Sequence, residues 1–115
     1  EGAEAVEAVL TEAAKGGRAV AGIEETLDAV ARGAVQRLYL LEGFSEPGRA
    51  CLECGALQRG GDAACRLCGK PAKATELGRE IVDRVIAAGG KVEAVGAHRA
   101  LARVGGVAAL LRYPL

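Results

Sequence analysis

Apolar positions recur along this chain at two different periods, and the changeovers mark its elements. In residues 3–14, Val6, Val9, Leu10 and Ala13 fall at helical spacing, with Glu4, Glu7 and Thr11 between them. The segment therefore predicts an amphipathic helix, and Lys15-Gly16-Gly17 stops it. Residues 18–21 read as a short extended stretch. Ile23, Leu27, Val30 and Ala31 mark the buried face of a second helix, ended by Gly33. Residues 35–41 switch to a strand, nearly continuous in apolar character toward its end, as suits a sheet covered on both faces. A third helical stripe, Leu77, Ile81, Val82, Val85 and Ile86, follows Thr75, a candidate N-cap, and Gly89-Gly90 closes it. Residues 91–95 read as a strand, 98–103 as a short helix or turn, and 107–112 as a final apolar strand. A strand, a helix and another strand at this spacing require a parallel crossover. The expected fold class is α/β, a small mixed sheet with helices on both faces.

Between the first long strand and the third helix the periodicity disappears. The stretch is polar and glycine-rich, with Leu52, Leu57 and Leu67 almost its only large apolar residues, so it cannot form a core of its own. It holds all four cysteines of the chain, in two copies of one motif: Cys51-x-x-Cys54-Gly55 and Cys65-x-x-Cys68-Gly69. Each C-x-x-C turn aims two sulfurs at one point, and the glycine lets the backbone fold back to donate N–H groups to the thiolates. Two such knuckles converging predict a tetrahedral site with Cys51, Cys54, Cys65 and Cys68 as ligands, the usual arrangement of structural Zn²⁺. Disulfides, free thiols and an iron centre are the alternatives. No signal peptide is evident, and the chain is large enough to need no covalent staple. Four protein thiolates leave no coordination position for water or substrate, so such a metal is structural rather than catalytic. Its binding would supply the folding free energy the stretch lacks, on the order of 10 kcal/mol.

Composition sharpens this picture only in places. Half of the 115 residues are apolar, enough for the core of one domain, but aromatics are scarce (Tyr39, Phe44, Tyr113), so Ala, Val, Leu and Ile must build it. No apolar run approaches membrane-spanning length. The chain opens at Glu1 without Met and already in a helical pattern, which reads as a piece of a longer protein. The net charge of zero is unevenly spread. Residues 1–48 carry four Lys/Arg against nine Asp/Glu, a net of −5, and residues 49–115 carry eleven against six, a net of +5. Around the cysteines, Arg49, Arg59, Arg66, Lys70 and Lys73 face only Glu53 and Asp62. These cations either offset a metal–tetrathiolate centre, formally −2, or form the footprint of an RNA-binding zinc ribbon. The first reading needs no further partner and is preferred.

The order of the elements also carries a resemblance. The run Val20-Ala21-Gly22-Ile23-Glu24-Glu25-Thr26-Leu27-Asp28-Ala29-Val30, the Gly33-Ala34-Val35 turn, and the strand leading into a four-cysteine insert stand in the first half. Gly89-Gly90-Lys91-Val92-Glu93 and the ending Gly105-Gly106 through Tyr113 stand in the second. Together they resemble the C-terminal domain of archaeal/eukaryotic-type peptide chain release factors and of Pelota, over essentially the whole chain. The resemblance implies a three-layer α/β/α sandwich, similar to the kink-turn-binding ribosomal proteins, as one domain over 1–115 with the zinc insert at about 46–73. It implies a cytoplasmic protein acting in translation termination, ribosome rescue or hibernation, whose partners are a translational GTPase and the ribosome. The turn that contacts RNA in the kink-turn binders is acidic here, at Glu24, Glu25 and Asp28. Carboxylates repel phosphates, so kink-turn binding is not expected.

Catalytic chemistry is not expected either. Relatives release peptide with a Gly-Gly-Gln loop, but the Gly-Gly pairs at 16–17, 60–61, 89–90 and 105–106 are followed by Arg18, Asp62, Lys91 and Val107. Glu24 and Glu25 suit the positive end of a helix dipole better than a proton-transfer pair. His98, the single histidine, has no Ser or Cys placed as a partner and reads as a solvated residue near a helix start. Gly105-Gly106 leads into an apolar strand rather than a helix N-terminus, so it reads as close backbone packing at the sheet edge and not as a phosphate loop. Tyr39 and Tyr113 are too isolated for a base-stacking platform, and Ser45 has no base near it in sequence.

Overall fold

Strand β2 (Val35–Leu41) is buried on both of its faces, and the rest of the molecule is arranged around it. The computed structural model describes residues 2–60 and 63–113. Gly61 and Asp62, together with Glu1, Pro114 and Leu115, lie outside the described residues. The elements in chain order are α1 (Gly2–Ala14), β1 (Ala19–Ala21), α2 (Ile23–Ala31), β2, β3 (Pro47–Cys51), β4 (Leu57–Arg59), β5 (Ala72–Glu76), α3 (Leu77–Ala87), β6 (Lys91–Val95), α4 (Arg99–Arg103) and β7 (Val107–Leu111). They form a four-stranded sheet, ordered β1-β7-β2-β6, and a three-stranded sheet, ordered β4-β3-β5.

The larger sheet is mixed: β2 runs parallel to β6 and antiparallel to β7, which is antiparallel to β1. The parallel β2–β6 pair is the crossover the sequence required. Two apolar layers cover the sheet. On one face Ile23, Leu27 and Ala29 of α2 and Leu77, Ile81 and Val85 of α3 pack on Val35, Leu38, Val107, Ala109 and Leu111. On the other, Val6 and Val9 of α1 and Leu101 of α4 pack on Ala19, Tyr39, Val95 and Ala108. β7 alternates strictly, odd positions to the first layer and even positions to the second, as period-2 geometry demands. β2 breaks that rule: Val35 and Leu38 share a layer. The register slips between Val35 and Arg37, and the extra residue flips the facing of everything after it. The architecture is the α/β/α sandwich.

Several details differ from the sequence reading. Glu76, not Thr75, is the N-cap of α3, its carboxylate accepting from the N–H groups of Gly78 (2.6 Å) and Arg79 (2.9 Å). Thr75 still lies on β5 and donates to Glu80 at 2.9 Å. Ile86, placed on the buried stripe of α3, is 58% exposed, because the buried row runs through Leu77, Ile81 and Val85, and Ile86 stands one helical step off it. In α2, Ala31 is exposed and Thr26 takes the buried position. β7 lies inside the sheet between β1 and β2, so the Gly105-Gly106 pair is not at an edge: Gly105 faces open space, and Gly106 packs against Phe44, where a Cβ would stand 3.1 Å from Cδ1. Strands β3 to β5 were not anticipated at all.

Candidate metal centre

Two tight turns bring the cysteines together. Cys51 ends β3, and its N–H returns to the Ala56 carbonyl at 2.9 Å, while the Cys65 N–H returns to Lys70 at 2.8 Å. Both closures need a left-handed residue, which Gly55 (φ 78°) and Gly69 (φ 77°) supply. The folded-back backbone then aims donors at sulfur. Cys51 Sγ accepts from the N–H groups of Glu53 and Cys54, each at 3.3 Å, and Cys65 Sγ accepts from Leu67 at 3.4 Å. The N–H groups of Ala56 and Lys70 serve Cys54 and Cys68 in the same way. The two knuckles are near-copies in conformation as well as in sequence.

All four sulfurs lie within 4.8 Å of one another. The separation is 3.4 Å between Cys51 and Cys68 and 3.6 Å between Cys54 and Cys65. A disulfide would need about 2.05 Å, whereas a tetrahedron with metal–sulfur bonds of about 2.3 Å has edges of about 3.8 Å. The donor set thus fits a thiophilic cation and could hold one. Its electrostatics agree. The Cys54 N–H, with that of Glu53, pulls the Cys51 thiol down to about 6 against the opposing effect of burial. The N–H groups of Cys68 and Leu67 lower Cys65 likewise. At Cys68 the Lys70 N–H favours the thiolate, but the Cys51 sulfur and desolvation outweigh it and push the thiol up to about 12. Cys54 is also raised: the Ala56 N–H is outweighed by the neighbouring sulfurs of Cys51 and Cys65. Backbone dipoles favour two thiolates, and four need a cation among them.

The surroundings hold the ribbon against the sandwich. Gln58, 5% exposed, spans the knuckles' base, donating to the Ala64 carbonyl (3.1 Å) and accepting from the Arg66 N–H (2.9 Å). Arg84 of α3 donates to the Gly55 carbonyl and is ion-paired with Glu80 at 3.9 Å. Leu57 packs into the main core. Sequence reasoning missed Gln58 and Arg84. A polar residue between Leu57 and Arg59 gives no burial signal of its own, and an exposed-looking helix arginine gives no hint of its distant carbonyl partner.

The remaining candidates disperse. Glu24 and Glu25 stand in the first turn of α2, where Glu24 pairs with Arg59 at 3.6 Å. His98 is not solvated: its side chain is 8% exposed, and Nδ1 accepts the Leu101 N–H at 3.2 Å as the N-cap of α4. Tyr39 is buried, and its hydroxyl is pushed up by desolvation, partly countered by Arg37. Tyr113 is exposed and Ser45 lies in the exposed turn before β3. Of the five cations near the cysteines, Arg49, Arg59 and Arg66 line one groove of about 620 Å³ and Lys70 and Lys73 do not. Arg59 is committed to Glu46 (3.1 Å) and Glu24.

Fold and centre together define the class: an α/β/α sandwich bearing a ribbon with four clustered thiols. The chain belongs to the eRF1 domain 3 family, whose model matches residues 1–115. Among solved structures it is similar to the C-terminal domain of peptide chain release factor from Methanosarcina mazei, at 22% identity and a TM-score of 0.63, covering 97% of this chain and 81% of that one. It is also similar to Archaeoglobus fulgidus Pelota (22% identity, TM-score 0.63, 97% of this chain and 29% of that one). A third likeness is to S. cerevisiae Dom34, a translation termination-like factor involved in RNA quality control and interacting with Hbs1 (21% identity, TM-score 0.63, 97% and 27%). These are likenesses of fold. Compared by sequence with curated proteins, the chain matches none. Against Pelota and Dom34 it spans less than a third of the partner chain.

Proposed function

We propose that residues 1–115 act as one non-catalytic docking domain of a release-factor-like translation protein, with the cysteine ribbon, about residues 46–73, as its insert. The observation that carries this reading is the family match along the entire chain. No Gly-Gly pair in it is followed by Gln, so the peptide-releasing loop of such factors would belong to another part of the parent. Dom34, which shares the fold, interacts with the protein Hbs1. By that likeness this domain's partners are a translational GTPase and the ribosome, in the cytoplasm, during termination, rescue or hibernation. No helix among the described residues is long and apolar enough to cross a membrane.

In the ribbon, Cys51, Cys54, Cys65 and Cys68 would hold Zn²⁺. The metal would supply cross-linking energy to a segment with little apolar surface, and with every ligand a protein thiolate it would leave no site for substrate. Glu24, Glu25 and Glu46 beside the arginine groove disfavour the alternative of an RNA-binding ribbon. The test is co-sedimentation and pull-down of the full-length parent with ribosomes and its cognate GTPase, with and without this domain. Loss of either association on deletion supports docking; unchanged association with both overturns it.

A further inference from the structure

The groove beside the ribbon has an organisation that neither the metal nor the fold requires. Pro47, Gly48 and Ala74 give it a small apolar lining, and two guanidiniums, Arg49 and Arg66, line it as well. Each is tethered by a backbone carbonyl: Arg49 Nη1 donates to Ala72 at 3.0 Å, and Arg66 Nη2 donates to Arg59 at 2.8 Å. Neither has a carboxylate within ion-pair distance among the described residues, unlike Arg59, Arg32, Arg37 and Arg84. A guanidinium has five N–H donors in a planar fork. A fork anchored by one carbonyl and lining a groove has donors left for a carboxylate, which it can take at reduced entropic cost.

The carboxylates of the groove select among anions. Glu24 and Glu46 line the same groove, and the adjoining depression, reached past Arg59, adds Glu25. Glu24 and Glu46 are already paired with Arg59, so a short acidic segment seated on Arg49 and Arg66 need not face them unpaired, whereas a long phosphate backbone running on past Arg59 would also meet Glu25. We propose that the groove seats an acidic protein segment, with a side-chain or C-terminal carboxylate held between Arg49 and Arg66 and small apolar groups against Pro47, Gly48 and Ala74. This deepens the docking reading above and rests on it, naming the chemistry of the partner surface.

The test uses the zinc-loaded chain, isotopically labelled, titrated with penta-glutamate, with penta-glutamine, and with a short RNA duplex at matched ionic strength. The expected result is movement of the Arg49 and Arg66 Nε–H resonances and of the Gly48 and Ala74 amides with penta-glutamate and not with penta-glutamine. Arg49→Gln with Arg66→Gln should weaken penta-glutamate binding at least about tenfold, the scale of one charge-assisted pair. Because Arg66 adjoins a candidate ligand, Arg49→Gln alone is the second variant, with zinc content as its control, and should weaken binding in the same direction. No movement at these resonances, or tighter occupation of them by RNA than by penta-glutamate, overturns the proposal. The parent's association with ribosomes or GTPase can survive that failure, so the two readings fail separately.

Discussion

Gly48 of β3 lies directly against Leu77, the first residue of α3: a methyl at Gly48 would stand 2.6 Å from Leu77 Cδ1 and 2.5 Å from the Gln58 carbonyl oxygen. Leu77 is fully buried, and its N–H donates to the Glu46 carbonyl at 2.8 Å. The three-stranded sheet is therefore seated on the sandwich at a point where only a hydrogen fits. Gly48→Ala should push β3 away from α3 and cost about 1–3 kcal/mol, the usual range for overpacking. Chemical denaturation of the variant beside the parent measures it, with metal content followed in parallel because Cys51 stands only three residues further along β3. A stability equal to the parent's would mean that Gly48 makes room rather than marking a tight seat.

Replacing one ligand should dissect the ribbon from the body. If the four sulfurs hold zinc as proposed, Cys54→Ser or Cys68→Ser removes one ligand and metal affinity should collapse. Structural zinc contributes on the order of 10 kcal/mol where it is bound, yet the two core layers draw on α1 to α4 and the larger sheet, with Leu57 the only ribbon residue among their partners in the described residues. Amide exchange should therefore speed up over 51–72 while β7 and β2 stay protected, and native mass spectrometry should show a zinc-free species. Cooperative loss of protection in β7 would contradict the division.

How far this was legible in the sequence follows the physics of each part. The four strands and four helices of the sandwich stand out because their residues bury stripes with periods the chain must obey. Val35 and Leu38 share a face against the period-2 rule, since a bulge depends on pairing with β7, which local sequence does not reveal. The cysteine cluster was readable because spacing alone converges the sulfurs. Strands β3 to β5 were not, since Arg49, Gln58 and Lys73 show no alternation; their pairing is fixed by the knuckles at one end and Leu77 at the other. His98 misled for a related reason. A lone polar residue before a short helix looks solvated until its cap bond and burial are seen.

Thr26 offers a test of the core's own composition. It occupies the buried face of α2 at 0% exposure, and its Oγ1 has no hydrogen-bond partner among the described residues. A hydroxyl removed from water without compensation costs about 1–3 kcal/mol. Thr26→Val keeps the branched shape and removes that penalty, so the variant should be more stable, by about 1 kcal/mol or somewhat more. Thermal unfolding would register the gain as a rise in midpoint. A fall would show that the oxygen finds a partner in solution, such as a buried water.

Glu76 should impose a pH dependence on folding. Its carboxylate is partly desolvated, which raises its pKa, but N–H groups of Glu46, Arg79 and Gly78 favour the anion and together hold it below its ordinary value. Because the folded state binds this proton more weakly than the unfolded chain does, the group stabilises the fold above the ordinary carboxylate range, near 4.3. That contribution shrinks as pH falls through the depressed folded value. Glu76→Ala should cost about 1 kcal/mol at neutral pH, typical of a lost N-cap, with an added increment because Glu76 also holds the Glu46 N–H at 3.0 Å across to β3. Denaturation of both proteins between neutrality and pH 3 would show the parent's advantage narrowing on acidification. An advantage constant across that range would mean that the carboxylate's charge contributes nothing, leaving its packing as the source of any difference.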